Sequence, residues 1–159
     1  LRSQIQRPGI TAARGTTFIM EAKTPKLPDD AVHPQPLKAV LVVDDDKQLA
    51  SALQWILADE NYLVDVAFDG EEALLKVKVH EYDAVICDLL MPKLRGDQFY
   101  LQANELRPEI EARFIFITGF AADPHNQDFL GRRGIKYLTK PFPISKLIEA
   151  VKELIERNN

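Results

Sequence analysis

Asp88 closes the apolar run Ala84, Val85, Ile86, Cys87 and is followed by Leu89, Leu90, Met91 and Pro92. A carboxylate at the mouth of a buried strand is a candidate reactive group. Three further signals fall at comparable places: the triplet Asp44, Asp45, Asp46 after one apolar run, Thr118-Gly119 after another, and Lys140-Pro141 after the last. Three carboxylates in one tight turn repel each other by ~1 kcal/mol per pair in water, and by more when partly dry. A bound divalent cation removes that cost, and hard oxygen ligands suit Mg²⁺, which keeps waters and bridges carboxylates to phosphate. Such a metal would neutralise a phosphoryl group while the Asp88 carboxylate attacks it, leaving an acyl phosphate. The Lys140 ammonium would pair with Asp88 before reaction and with a phosphoryl oxygen after it. Thr118 supplies a hydroxyl for a phosphoryl oxygen, and Gly119 leaves room. Each motif also has a plain reading as helix cap, strand-end carboxylate or turn lysine. It is the combination that points to phosphoryl chemistry.

These groups need elements to position them. Ala39 to Val43 is a short β-branched apolar run, and Lys47 to Glu60 carries Leu49, Leu53, Ile56 and Leu57 at helical spacing. Tyr62 to Phe68 alternates, as a strand at a sheet edge would. Asp69-Gly70 turns the chain into a helix over Glu71 to His80, followed by the uninterrupted strand Ala84 to Cys87. Asp97 to Leu106 reads as helix, Phe114 to Ile117 as a buried strand, and Asp123 to Leu130 as a short polar helix. Ile135 to Leu138 and the amphipathic Ile144 to Ile155 complete five strand-helix pairs. That alternation predicts an α/β fold, a parallel sheet with helices on both faces, because parallel strands need crossovers and these are right-handed. In such sheets ligands bind beyond the carboxyl ends of the strands, where all four motifs fall. Lys140-Pro141 is a candidate cis peptide, and Trp55 is expected to pack against the core.

The 159 residues are 46% apolar and 28% charged, enough for one globular domain with a tail. A formal charge of −4 offers no concentrated basic face, so neither nucleic acid nor an anionic membrane is an expected partner. Cys87 is the single cysteine, which excludes an internal disulfide and fits a reducing, cytoplasmic setting; its neighbours make it a buried apolar residue. No apolar stretch approaches the ~20 residues of a membrane span. His33, His80 and His125 have no metal-ligand spacing and are expected at the surface. Five of the ten prolines lie in residues 1–36, which lack apolar periodicity and read as a tail or linker; the compact domain is expected over residues 37–157.

Taken together, Val42-Val43-Asp44-Asp45-Asp46, Cys87-Asp88-Leu89-Leu90-Met91-Pro92, Phe116-Ile117-Thr118-Gly119 and Tyr137-Leu138-Thr139-Lys140-Pro141-Phe142, with Asp69-Gly70-Glu71-Glu72-Ala73-Leu74 between the first two, resemble the receiver domain of two-component response regulators. The resemblance runs from about Lys38 to Ile155. It implies a flavodoxin-like sheet of strand order 2-1-3-4-5. It also implies Asp88 as phosphoacceptor, Asp44 and Asp45 as the Mg²⁺-binding pair, and Leu90 as a metal ligand through its backbone carbonyl. Thr118 becomes the switch hydroxyl, Lys140 the phosphoryl-binding lysine, Tyr137 the aromatic that turns inward, and Asp46 a helix cap. The implied partners are a histidine kinase or histidine phosphotransfer protein as donor, and a downstream protein at the face formed by the fourth helix, fifth strand and fifth helix.

Two departures from the family pattern stand out. Leu130-Gly131-Arg132-Arg133-Gly134 is more basic and glycine-rich than the usual end of the fourth helix, so that helix is expected to end early or to be mobile. Leu90 and Phe120 are bulky and apolar, and we expect them to hinder the water that would hydrolyse the acyl phosphate. Competing readings are a phosphorylation-independent interaction domain, a flavodoxin-like electron carrier and an aspartate-nucleophile phosphatase. Asp44 to Asp46 would repel a flavin phosphate, and Leu90 stands where the phosphatase needs a second carboxylate. Arg14 to Met20 contains Gly15-Thr16-Thr17-Phe18, which resembles the strand closing the ATP-binding domain of histidine kinases. That suggests the terminal receiver of a hybrid kinase; a stand-alone receiver with an added tail is the alternative.

Overall fold

The computed structural model describes residues 35–159. The tail reading, including the Gly15 to Phe18 motif, therefore lies outside the described residues except for Gln35 and Pro36. In chain order the elements are β1 (Ala39–Val43), α1 (Lys47–Asp59), β2 (Leu63–Ala67), α2 (Gly70–Val79), β3 (Ala84–Asp88), α3 (Gly96–Leu106), a 3₁₀ helix (Pro108–Arg113), β4 (Phe114–Thr118), α4 (Pro124–Arg133), β5 (Lys136–Thr139) and α5 (Ile144–Arg157). All neighbouring strands pair in parallel, in the order β2-β1-β3-β4-β5.

The pleat sends alternate side chains to opposite faces, and each face has its own core. Val40 and Val42 of β1, Ala84 and Ile86 of β3, and Ile115 and Ile117 of β4 meet α1 through Leu53 and Leu57, and α5 through Leu147, Val151 and Leu154. Leu41, Val43, Val85, Cys87, Phe114 and Phe116 meet α2, α3 and α4 on the other side, through Val77, Phe99, Tyr100 and Leu130. β1, β3 and β4 are buried on both faces, hence their continuous apolar runs. β2 lies at an edge and exposes Leu63 and Asp65, hence its alternation. The Tyr82 hydroxyl donates to Asp65 Oδ2 at 2.6 Å, tying that edge to the start of β3.

Two expectations are corrected. α4 does not stop at Leu130 but continues through Gly131 to Arg133, where Gly134 closes it in the left-handed region at φ 60° and donates its N–H back to Leu130 and Gly131. The Arg133 guanidinium lies 5.7 and 5.8 Å from the Tyr100 and Phe129 ring centroids, so cation–π contact offsets the cost of Gly131 within the helix. Trp55, expected to pack, is 78% exposed, because Leu53 and Leu57 take the core-facing positions of α1. The 3₁₀ helix is an addition with no periodic signal in the sequence.

Candidate functional site

The carboxyl ends of β1, β3 and β4 lie side by side, which the pairings Val43 with Cys87 and Asp88 with Ile117 make necessary. Asp44 directly follows β1, Asp88 is the last residue of β3, Thr118 the last of β4, and Lys140 follows β5. Carboxylate oxygens of Asp44, Asp45 and Asp88 all lie within 4.8 Å of one another, with Asp44 and Asp88 buried and Asp45 exposed. Lys140 Nζ bridges two of them, 2.7 Å from Asp88 Oδ2 and 3.0 Å from Asp44 Oδ2. Among the described residues this is the one acidic cluster with metal-ligand geometry.

Local hydrogen bonds hold each group. Asp44 Oδ1 accepts the Asp46 N–H at 2.9 Å, and Asp46 caps α1 by accepting from Gln48 and Leu49. The cap role expected of Asp46 is thus the observed one. Asp88 Oδ1 accepts the Leu90 N–H at 3.0 Å, which draws the Leu90 main chain to the carboxylate. Lys140 donates its backbone N–H to the Thr118 carbonyl at 2.9 Å, and the Lys140-Pro141 peptide is cis. Lys93, at φ 63° in the loop after β3, reaches Asp69 Oδ2 at 2.6 Å and ties that loop to the cap of α2.

Burial pushes the Asp44 carboxyl above its ordinary value, against the Asp46 N–H and Lys140, which lower it. Burial alone would pull the Lys140 ammonium down; its bonds to Asp88 and Asp44 more than reverse this and leave it raised. The Cys87 thiol is pushed well up by burial and the neighbouring carboxylates, and so stays inert. Three carboxylates against one ammonium leave the strand ends electronegative, with hard oxygen donors and no soft ligand. The donor set suits Mg²⁺.

Thr118 and Tyr137 stand apart from this cluster. Thr118 is fully buried, and its Oγ1 accepts the Phe120 N–H at 3.1 Å. Tyr137 pairs in register with Phe116 and is 46% exposed. The space where a Gly119 Cβ would lie is open, with no atom within 4 Å. One essential residue gave no chemical signal in the sequence. A Cβ on Gly96 would stand 2.1 Å from the Asp88 carbonyl oxygen, so only glycine lets α3 begin against the end of β3. His125, expected as a plain surface residue, is largely exposed but sets Nε2 2.9 Å from Asp97 Oδ2.

A 2-1-3-4-5 parallel sheet with an acidic cluster and a lysine at its carboxyl end defines a receiver-type α/β protein. The family model described as "Response regulator receiver domain" matches residues 40–152. The chain belongs to that family, the receivers of two-component systems, which are phosphorylation-based signalling switches that bind Mg²⁺ at an acidic pocket. It is 34% identical over 113 residues to the transcriptional regulatory protein DltR of Streptococcus agalactiae, covering 71% of this chain and 50% of that protein. The chain spans about half the length of the curated relatives it matches. A CheY-like receiver domain protein from Methanospirillum hungatei superposes with a TM-score of 0.71 at 30% identity, over 77% of this chain and 96% of that one. TrrA of Thermotoga maritima, solved in complex with Mg(2+)-BeF, gives 0.64 at 33% identity over 74% of this chain and 99% of that one. No helix among the described residues is long and apolar enough to cross a membrane.

Proposed function

We propose that this chain is a phosphorylation-dependent signalling switch in which Asp88 accepts a phosphoryl group from a histidine kinase or a histidine phosphotransfer protein. The observation that carries this reading is the convergence of Asp44, Asp45 and Asp88 within 4.8 Å, with Lys140 Nζ 2.7 Å from the proposed acceptor. An Asp88 carboxylate oxygen attacks the phosphorus in line. The phosphorus–nitrogen bond of the donor breaks, its electron pair stays on the imidazole, and an acyl phosphate forms. Lys140 exchanges its Asp88 oxygen for a phosphoryl oxygen. Mg²⁺, when held by Asp44, Asp45, Asp88 and the Leu90 carbonyl, supplies neutralisation of the phosphoryl charge. Water attack on phosphorus later returns the free carboxylate and inorganic phosphate, so the site resets.

Readout runs through Thr118. Its hydroxyl leaves the Phe120 N–H for a phosphoryl oxygen, and the Tyr137 ring moves inward from its exposed position. That alters the surface of α4, β5 and α5, to which a downstream protein binds. The receiver unit in this reading is residues 37–157, working in the cytoplasm where the donor is charged from ATP. The TrrA complex, with a phosphoryl mimic and Mg²⁺ on a 33% identical chain, supports the chemistry. The test is to incubate the protein with Mg²⁺ and acetyl phosphate or beryllofluoride, comparing wild type with Asp88→Asn. Wild type should gain the adduct and change conformation while the variant does neither; an unmodified wild type, or an equally modified variant, refutes the assignment.

A further inference from the structure

The residue that precedes α3 is Arg95, at a position where Ser, Thr, Asp or Asn would accept a first-turn N–H. Arginine cannot accept, and α3 has no side-chain cap. Its guanidinium instead reaches Asp97 Oδ1 at 3.2 Å and, on the neighbouring helix, Asn126 Oδ1 at 3.4 Å. Asn126 lies in the first turn of α4 and is 2% exposed. Its Nδ2 donates to the Phe120 carbonyl at 2.9 Å, and the Phe120 N–H donates to Thr118 Oγ1. A continuous path therefore runs from α3 through Arg95, Asn126 and Phe120 to the buried hydroxyl at the end of β4. His125, bound to Asp97, fastens the same two helices a second time.

We propose that Asn126, oriented by Arg95, is a positioning residue that holds the loop from Thr118 to Phe120 in its resting place and so sets how readily the site accepts a phosphoryl group. This rests on the reading that Thr118 moves when Asp88 is modified. Such a movement must break the Phe120 N–H bond to Oγ1 or carry Phe120 along, and the Phe120 carbonyl is anchored by Asn126. On that reading the bonds belong to the resting state. A ligand that selects the moved state works against them, and removing them shifts the equilibrium toward it. Loss of Asn126 does not orphan the Phe120 carbonyl, which also accepts the Asp123 N–H at 3.1 Å.

The experiment is a calorimetric titration of the full chain with beryllofluoride in saturating Mg²⁺, for wild type, Asn126→Ala and Arg95→Asn, beside urea unfolding of each. Both variants should bind about fivefold tighter, the factor that one net hydrogen bond corresponds to. Stability should fall in Asn126→Ala, which loses two side-chain hydrogen bonds, and change little in Arg95→Asn, where a new cap on α3 offsets the lost bond to Asp97. A purely structural role would make affinity follow stability. That outcome, or two variants at wild-type affinity, overturns the proposal while the phosphoacceptor reading stands. A wild type that binds no beryllofluoride overturns both.

Discussion

Lys140→Met removes the one positive charge of the site while keeping most of the side chain's volume. Lys140 Nζ bridges Asp44 and Asp88, whose oxygens lie within 4.8 Å of each other. At that separation and an effective dielectric of ~20, the two carboxylates repel by about 3 kcal/mol. Removing one partner of a buried ion pair costs ~3–5 kcal/mol. The Lys140 side chain is 26% exposed, so the lower end applies. The variant should therefore lose about 3 kcal/mol without divalent metal, a large share of the ~5–15 kcal/mol that holds a domain together. In saturating Mg²⁺ the loss should shrink below about 1 kcal/mol, since a cation bound only by the folded site takes over the compensation. Urea titration followed by far-UV circular dichroism measures both; Trp55 is too exposed to report on unfolding. An equal loss with and without Mg²⁺, or none in its absence, would refute the electrostatic argument.

Three other outcomes follow from the geometry. Burial would raise the Asp97 carboxyl, but the hydrogen bonds from His125 and Arg95 outweigh it and hold its pKa below the ordinary 3.8. Its stabilisation is therefore present above that value and lost as pH falls through the folded-state pKa; the gap between wild type and Asp97→Asn in urea midpoint should be full near neutral pH and close below 3.8, and a gap independent of pH would contradict this. Gly96→Ala, whose new Cβ would overlap the Asp88 carbonyl, should cost about 3 kcal/mol, whereas Gly119→Ala, in open space, should leave the melting temperature almost unchanged. Leu90→Asn combined with Phe120→Glu should hasten decay of the phosphorylated protein, followed by loss of label; unchanged decay would show that these apolar side chains do not hinder water.

The sheet was legible because its centre is buried on both faces and its edge is not. β1, β3 and β4 read as continuous apolar runs and β2 as alternation, which is the burial each strand meets. The acidic triplet, Asp88, Thr118 and Lys140 were legible for a related reason: each sits at the junction where an apolar run ends and polar chemistry begins. What escaped was set by tertiary contact. Gly131 looks like a helix breaker until Arg133 lies over Tyr100 and Phe129 and Gly134 closes the helix beyond it. Trp55 looks like core until the apolar stripe of α1 is filled by smaller residues. The Arg95, Asp97, His125 and Asn126 network joins two helices about thirty residues apart in sequence and has no periodicity to betray it.

The charge balance explains why such a site suits a reversible switch. Two negative charges are uncompensated in the cluster of Asp44, Asp45, Asp88 and Lys140. Phosphorylation would replace the single charge of Asp88 with a group carrying ~2, deepening the excess unless a divalent cation is present. On the proposed reading acceptance would therefore be conditional on metal, and the modified state would be held in place by charge rather than by shape. Any neutral or positive donor brought to the phosphoryl oxygens relieves the excess. Lys140 is already in reach and would carry no conformational signal, since on the proposed reading it occupies the cluster before reaction as well as after it. The Thr118 hydroxyl stands outside the cluster, where its oxygen accepts the Phe120 N–H. A hydroxyl that must move to bring its proton to the phosphoryl oxygens would turn a chemical event at Asp88 into a displacement of the β4–α4 loop.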